Sequence, residues 1–189
     1  MPELDLNFLK KIKDFKLEDY PCFFETGTYM GNTILYMDQY FEKLYTVEIK
    51  EQLLNDVKSK YTGNKINFYL GDSSIMLPKL VKRINKNTIF FLDGHWSAGI
   101  TGKGKKDCPL YEELNGIMKN FKHKAIIIID DFRLFGLGPN TTNGKEVCNW
   151  EDISRENVLN IVEKRLDDEY HLPSELHPKD RFVLHLNSL

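Results

Sequence analysis

Five short apolar runs, each closed by an acid and followed by a segment of helical periodicity, constrain this chain more than any other feature in it. The runs are Phe23-Phe24-Glu25, Leu44 to Ile49 with Glu48 near its end, Ile66 to Leu70 before Gly71-Asp72, Ile89 to Leu92 before Asp93, and Ala125 to Ile129 before Asp130-Asp131. Runs this short that alternate with helices fold as parallel strands joined by crossover helices. The continuous apolar run Ala125 to Ile129 is of the kind buried on both faces of a sheet. An α/β, Rossmann-like architecture follows, in which ligands bind beyond the carboxyl ends of the strands. Every one of those ends carries an acid. Carboxylates gathered on one rim need cations or hydrogen-bond donors to share.

The intervening segments give helices after Gly31, over Glu51 to Lys60, from Asp72-Ser73-Ser74 to about Arg83, over Leu110 to Met118 and near Ser154 to Leu166. A Ser suits the cap before the third of these, and Asp107 followed by Pro109 suits the start of the fourth. Two more strand-like segments, around Tyr170 and at Phe182 to Leu186, flank a turn at His177-Pro178-Lys179-Asp180 and close the chain with an antiparallel hairpin. The expected sheet is seven-stranded and mostly parallel. Leu6, Leu9, Ile12 and Phe15 suggest an amphipathic helix in residues 1–20 that packs on the domain or forms a homodimer contact. With 189 residues the chain is expected to be a single domain, carrying a lid loop at 96–108 and a substrate-side loop at 132–152.

Charge and composition exclude several partners. Lys plus Arg number 26 and Asp plus Glu 28, a net charge of −2, so no global field draws the protein to nucleic acid or an anionic membrane. Cys22, Cys108 and Cys148 lack metal-binding spacing and are odd in number, which fits a reducing compartment. No apolar leader or 18-residue apolar run occurs, and a cytoplasmic location is the expectation.

Among the strand ends, Glu25 to Thr33 reads E-T-G-T-Y-M-G-N-T, with two glycines in a strand-to-helix turn that let a ligand approach the backbone. The G-x-G-x-x-G spacing of a dinucleotide fingerprint is missing, which disfavours NAD. Glu48 suits acceptance from a ribose diol, and Asp72 from the exocyclic amine of adenine. Asp93, Asp130 and Asp131 can offer three hard oxygen ligands to Mg²⁺ or Mn²⁺; the alternative is a carboxylate cluster solvated at the sheet edge or paired with Arg133 and His95. His95 is placed to act as a general base. The run Trp96 to Cys108 reads as a lid whose Trp96 packs on a sugar face while Lys103, Lys105 or Lys106 meets a phosphate, or as a solvated loop.

Together E-T-G-T-Y-M-G-N-T, V-E-I, G-D-S-S, F-L-D-G-H-W and I-I-D-D-F resemble the class I S-adenosylmethionine (SAM)-dependent methyltransferases. An acid at the fourth strand end with paired acids at the fifth is similar to the metal-dependent sugar O-methyltransferases of the macrocin and novobiocin type. The phrases L-D-G-H-W-S-A-G-I-T-G-K-G and I-D-D-F-R-L-F-G are also similar to methyltransferase-like glycan-modifying domains of large DNA viruses, for which the location would be the host cytoplasm. The resemblance implies that Glu25, Thr26, Gly27, Thr28, Tyr29, Gly31, Asn32 and Thr33 hold the methionine part of SAM. It implies ribose at Glu48 and adenine at Asp72, with Ser73 and Asp93 completing the cofactor set. It also implies a divalent ion on Asp93, Asp130 and Asp131, His95 as the base, and Trp96 and Arg133 beside a sugar acceptor, either a nucleotide sugar or a glycan. Rival expectations are a catechol-like or other small-molecule hydroxyl, an NAD-dependent oxidoreductase, or a non-catalytic nucleoside-binding protein on the same fold.

Overall fold

The computed structural model describes residues 3–139, 141–142, 145–146 and 148–189. Gly144, expected within the substrate-side loop, lies outside them. Strands β1 (Cys22–Thr26), β2 (Lys43–Glu48), β3 (Ile66–Leu70), β4 (Thr88–Leu92) and β5 (Ala125–Ile129) form where the apolar runs lie. A small hairpin, β6 (Thr141–Thr142) and β7 (Lys145–Glu146), precedes β8 (Leu166–Leu172) and β9 (Arg181–Leu186). The main sheet has seven strands in the order β3-β2-β1-β4-β5-β9-β8. β1 to β5 pair in parallel, while β9 runs antiparallel to both β5 and β8. The strand order therefore reverses between β1 and β4, and the crevice for a ligand opens at their carboxyl ends.

Strand alternation sends successive side chains to opposite faces. Phe24, Phe90, Ile127 and Leu184 face one helical layer, α4 (Ser73–Leu80), α5 (Leu110–Asn120) and α6 (Arg155–Val162), through Leu77, Leu114 and Val158. Phe23, Phe91, Ile128 and Val183 face the other, where α2 (Asn32–Met37) and α3 (Glu51–Lys60) supply Ile34, Met37 and Val57. Among the described residues no helix is long and apolar enough to cross a membrane.

Three local expectations need correction. The opening segment holds only a short helix, α1 (Leu6–Leu9), followed by turns with i→i+3 bonds at Lys11, Ile12 and Phe15. Its apolar spacing of three is the 3₁₀ period rather than the α period, and Asp14 at φ 54° interrupts any continuation. Leu4, Leu9 and Ile12 are nonetheless buried against the sheet. At α4 the cap is Asp72 rather than a serine, its Oδ1 accepting from the Ser74 amide at 2.9 Å. At α5 the N-cap position is Pro109; Asp107 is drawn away because its carboxylate accepts from the Asn149 amide at 3.0 Å and pairs with Lys103 at 3.2 Å. Ser154 does cap α6, accepting from the Asn157 amide at 3.1 Å.

Candidate functional site

The strand-to-helix turn after β1 is shaped by how closely β1 and β4 approach. Gly27 has φ 80°, and a Cβ there would lie 2.2 Å from the Asp93 carbonyl oxygen, so neither the backbone conformation nor the space admits a side chain. Its amide donates to the Val47 carbonyl at 2.9 Å. Tyr29, at φ 46°, turns its amide onto Glu48 Oε2 at 2.9 Å, and the Lys50 amide donates to Glu48 Oε1 at 2.9 Å. Glu48 is buried and thus held by one main-chain donor on each oxygen, which leaves each oxygen a second lone pair for a ligand.

Glu25 and its neighbours support this turn from below. Thr46 Oγ1 donates to Glu25 Oε2 at 3.0 Å and lies 2.6 Å from Thr28 Oγ1. Burial pushes the Glu25 carboxyl well above the carboxylate range, against the hydrogen bond from Thr46. Thr26 Oγ1 accepts from the Asp93 amide at 3.2 Å, and Thr33 Oγ1 accepts from the Glu3 amide at 3.2 Å. Gly31 is the N-cap residue of α2, and Asn32 opens that helix. Of the expected turn residues, Gly27 and Tyr29 line the cleft, whereas Glu25, Thr26, Thr28, Gly31, Asn32 and Thr33 do not.

The cleft, about 480 Å³, runs from Glu48, Ile49, Leu53, Asp72 and Ser73 past Asp93 and His95 to Asp130, Asp131 and Arg133. Its first half is roofed by loop 96–108. The loop is pinned at its base by the Trp96 amide, which donates to the Asp107 carbonyl at 2.8 Å. Over the top, Lys50 Nζ donates to the Ile100 carbonyl at 2.7 Å, and the Lys105 amide reaches Asp72 Oδ2 at 3.4 Å. A Cβ on Gly102 would fall 2.1 Å from the Ile49 side chain, and one on Gly104 would fall 2.7 Å from Asp72 Oδ2. The loop therefore lies on the ends of β2 and β3. Trp96 is outside the lining, with Lys103 Nζ 4.0 Å from its ring centroid, and Lys106 pairs with Glu112.

At the other half, acids and bases interlock. His95 Nδ1 lies 3.3 Å from Asp93 Oδ1, while Nε2 lies 2.9 Å from Asp131 Oδ2 and 2.9 Å from Ser97 Oγ. The imidazole stands edge-on to buried Trp150, with centroids 5.0 Å apart. Asp131 adopts φ 58° and also pairs with Arg133 Nη1, which reaches Asp180 Oδ2 at 2.6 Å. Burial by itself would raise the Asp131 carboxyl, but the hydrogen bond and charge of His95, with Arg133, outweigh it and hold it below its ordinary value. Asp130 is buried, accepts from the Asp131 amide at 2.6 Å and pairs with Arg181 Nη1. Burial, then the charges of Glu3 and Asp131, push Asp93 well above the carboxylate range.

Glu3, Asp180, Arg181 and Glu113 also belong to the surroundings of the site, beyond the residues that the sequence pattern marks. Buried Glu113 stands behind the Asp93-Gly94-His95 turn, where a Cβ on Gly94 would meet Ser73 Oγ at 2.9 Å, Glu113 Oε1 at 3.0 Å and Thr26 Oγ1 at 3.0 Å. Burial pushes the Glu113 carboxyl up to about 7, against the opposing effect of the Ser73 and Thr26 hydroxyls. Its sequence signal was an acid on the inward stripe of an amphipathic helix. Asp180 and Arg181 carried a weaker signal, an ion pair's two residue types immediately before an apolar strand.

No family model and no curated protein matches the sequence. Solved structures do match in shape. A putative methyltransferase from Streptococcus mutans in complex with SAH aligns with a TM-score of 0.55 over 97% of this chain and 94% of its own, at 15% identity. A SAM-bound amino pentose methyltransferase from Micromonospora echinaspora aligns with a TM-score of 0.55 over 90% and 85%, at 8% identity. An rRNA methylase from Streptococcus thermophilus aligns with a TM-score of 0.52 over 90% and 88%, at 15% identity. The chain has the class I methyltransferase fold.

Within that fold SAM fits the residues present. Gly27 and Tyr29 line the cleft, Glu48 offers two open lone pairs, and among the described residues Asp72 Oδ2 carries only the Lys105 amide at 3.4 Å, all along that one cleft. A divalent ion does not fit the three acids as arranged. Oxygens of Asp93 and Asp130 converge with Glu3, whereas Asp131 converges with Asp130 and Asp180, so Asp93, Asp130 and Asp131 do not form one ligand set among the described residues. Asp130 is already paired with Arg181, and Asp131 with Arg133 and His95. The expected alternative of pairing with Arg133 and His95 is what Asp131 adopts. An ion on the expected three acids would have to displace a guanidinium and turn Asp131.

Proposed function

We propose that this chain is a SAM-dependent O-methyltransferase acting on a sugar hydroxyl, either of a nucleotide sugar or of a glycan. The observation that carries the reading is one cleft at the β1/β4 switch point, with buried Glu48 at one end and an Asp93–His95 dyad at the other. The sugar acceptor rests on the sequence resemblance, and an amino pentose methyltransferase is among the proteins of like fold. On this reading Gly27 and Tyr29 contact the methionine part, Glu48 takes the ribose hydroxyls, and Asp72 Oδ2 takes the adenine amine beneath the 96–108 roof.

When bound, SAM supplies an electrophilic methyl on a sulfonium and keeps the bonding electron pair as a neutral thioether. The protein's own contribution is at the acceptor. His95 sits between two carboxyl groups, Nδ1 3.3 Å from Asp93 Oδ1 and Nε2 2.9 Å from Asp131 Oδ2, with Asp93, Asp131 and the imidazole all lining the cleft. Trp150 fixes the plane of the ring. An acceptor hydroxyl that takes the place of Asp131 or Ser97 at Nε2 gives its proton there as the oxygen gains the methyl carbon. Holding donor and acceptor near 3 Å supplies much of the rate by orientation.

The test begins with calorimetry of the full chain against S-adenosylhomocysteine (SAH) and against NAD, in which only SAH should bind. Transfer of labelled methyl to a panel of nucleotide sugars and glycans, with catechols for comparison, then identifies the acceptor. His95→Ala should lower kcat by about 100-fold or more while leaving SAH affinity within about twofold. Unchanged kcat in that variant removes His95 as the base.

A further inference from the structure

We propose that Arg181 holds the place of a divalent ion in this site, neutralising the Asp93–Asp130 acid pair from within the fold and excluding a metal from it. On the functional reading above, methyl transfer by this chain then needs no metal.

The placement comes from strand register. β9 runs antiparallel to β5 with Ile129 opposite Phe182, so one residue further toward the rim Asp130 and Arg181 stand at the same level. Arg181 is only 6% exposed. Its Nη1 pairs with Asp130 Oδ1, its Nη2 donates to the Glu3 carbonyl at 3.4 Å, and Glu3 Oε2 lies 3.9 Å away. The guanidinium carbon sits 5.4 Å from the Phe91 ring centroid, a cation–π contact from within the sheet. Burial lowers the Arg181 pKa, with Asp93 and Glu3 acting against that.

These are the groups that a metal would use. Glu3, Asp93 and Asp130 present oxygens within 4.8 Å of one another, and the guanidinium sits among them, on Asp130 Oδ1 and within 3.9 Å of Glu3 Oε2. A lysine or histidine there could vacate its charge by losing a proton, but a guanidinium keeps it throughout the working pH range. A dication beside it would meet a fixed positive charge, and the repulsion is weakly screened at buried Asp130 and Arg181. Removing either partner instead leaves an uncompensated buried charge, which is why the vacancy left by Arg181 should itself attract a cation.

The experiment measures Mn²⁺ uptake by electron paramagnetic resonance on the full chain, with SAH calorimetry in EDTA on the same samples. Wild type should leave the free Mn²⁺ signal undiminished at micromolar metal. R181M, which removes the charge and keeps much of the length, should take up one Mn²⁺ per chain with affinity raised at least roughly tenfold, and D130N in that background should abolish the uptake. One Mn²⁺ bound by wild type and lost in D130N overturns the proposal, as does methyl transfer that stops in EDTA. If R181M does not fold, wild type and D130N still decide. Failure of SAH to bind sinks the methyltransferase reading but leaves the Mn²⁺ arms to judge Arg181 independently.

Discussion

Replacing Gly27 by Ala tests whether the close approach of β1 and β4 shapes the cofactor turn. The new Cβ would sit 2.2 Å from the Asp93 carbonyl oxygen and 2.9 Å from its carbonyl carbon, whereas ordinary contact begins at 3.4 Å, so backbone must move by about 1 Å. The neighbour is main chain and cannot rotate away. A left-handed conformation costs a non-glycine residue about 1 kcal/mol, and overpacking against rigid backbone adds about 2 kcal/mol. About 3 kcal/mol lowers Tm by about 6–12 °C in a chain of this size. Gly136→Ala is the control, since Gly136 has φ 75° but nothing within 4 Å of its Cβ position; its loss should stay near 1 kcal/mol, or about 2–4 °C. Differential scanning calorimetry gives the two losses, and SAH titration gives the functional consequence, a Kd raised at least roughly tenfold for Gly27→Ala alone. Equal melting temperatures for the two variants, with SAH affinity unchanged in both, would refute the argument that the rim is set by this contact.

Three further expectations concern single side chains. Glu48→Gln places an amide N–H₂ against one of two main-chain donors, Tyr29 or Lys50, and should weaken SAH binding by at least roughly tenfold in calorimetry. Gly104→Val drives a side chain into Asp72 and should prop loop 96–108 open, speeding SAH release in stopped-flow measurements; unchanged release would mean that the loop is not a cofactor roof. Glu113 titrates at about 7 in the fold against an ordinary 4.5, so the folded state binds the extra proton between those values. Stability relative to Glu113→Gln is greatest below pH 4.5, is lost as pH rises toward 7 and is level above it, a swing of about 3 kcal/mol. Urea denaturation of both proteins at pH 5 and pH 8 measures it, and a difference that stays constant would show that Glu113 is not protonated in the fold.

What could be read in the chain, and what could not, divides along one physical line. β1, β2, β4 and β5 were legible as short, mostly apolar runs buried on both faces, and edge strand β3, buried only at Ile66, from its β-rich residues. Segment 3–20 misled because three-residue spacing fits two kinds of turn, and only the i→i+3 bonds at Lys11 and Ile12 distinguish them. The acids of the rim were legible for the same local reason as the strands, since each follows its own apolar run. Their cations were not. Arg133 follows Asp131 by two residues and was suspected as its partner, but Arg181 reaches Asp130 only through the antiparallel register of β9 on β5, across about fifty residues of chain. Glu3 arrives by a similarly long route, tied by its amide to Thr33 and by its carbonyl to Arg181. A rim of acids looks like a metal site when only the acids are visible. The long-range pairs supply the countercharge, and whether an ion is needed depends on a partner whose position a local pattern does not encode.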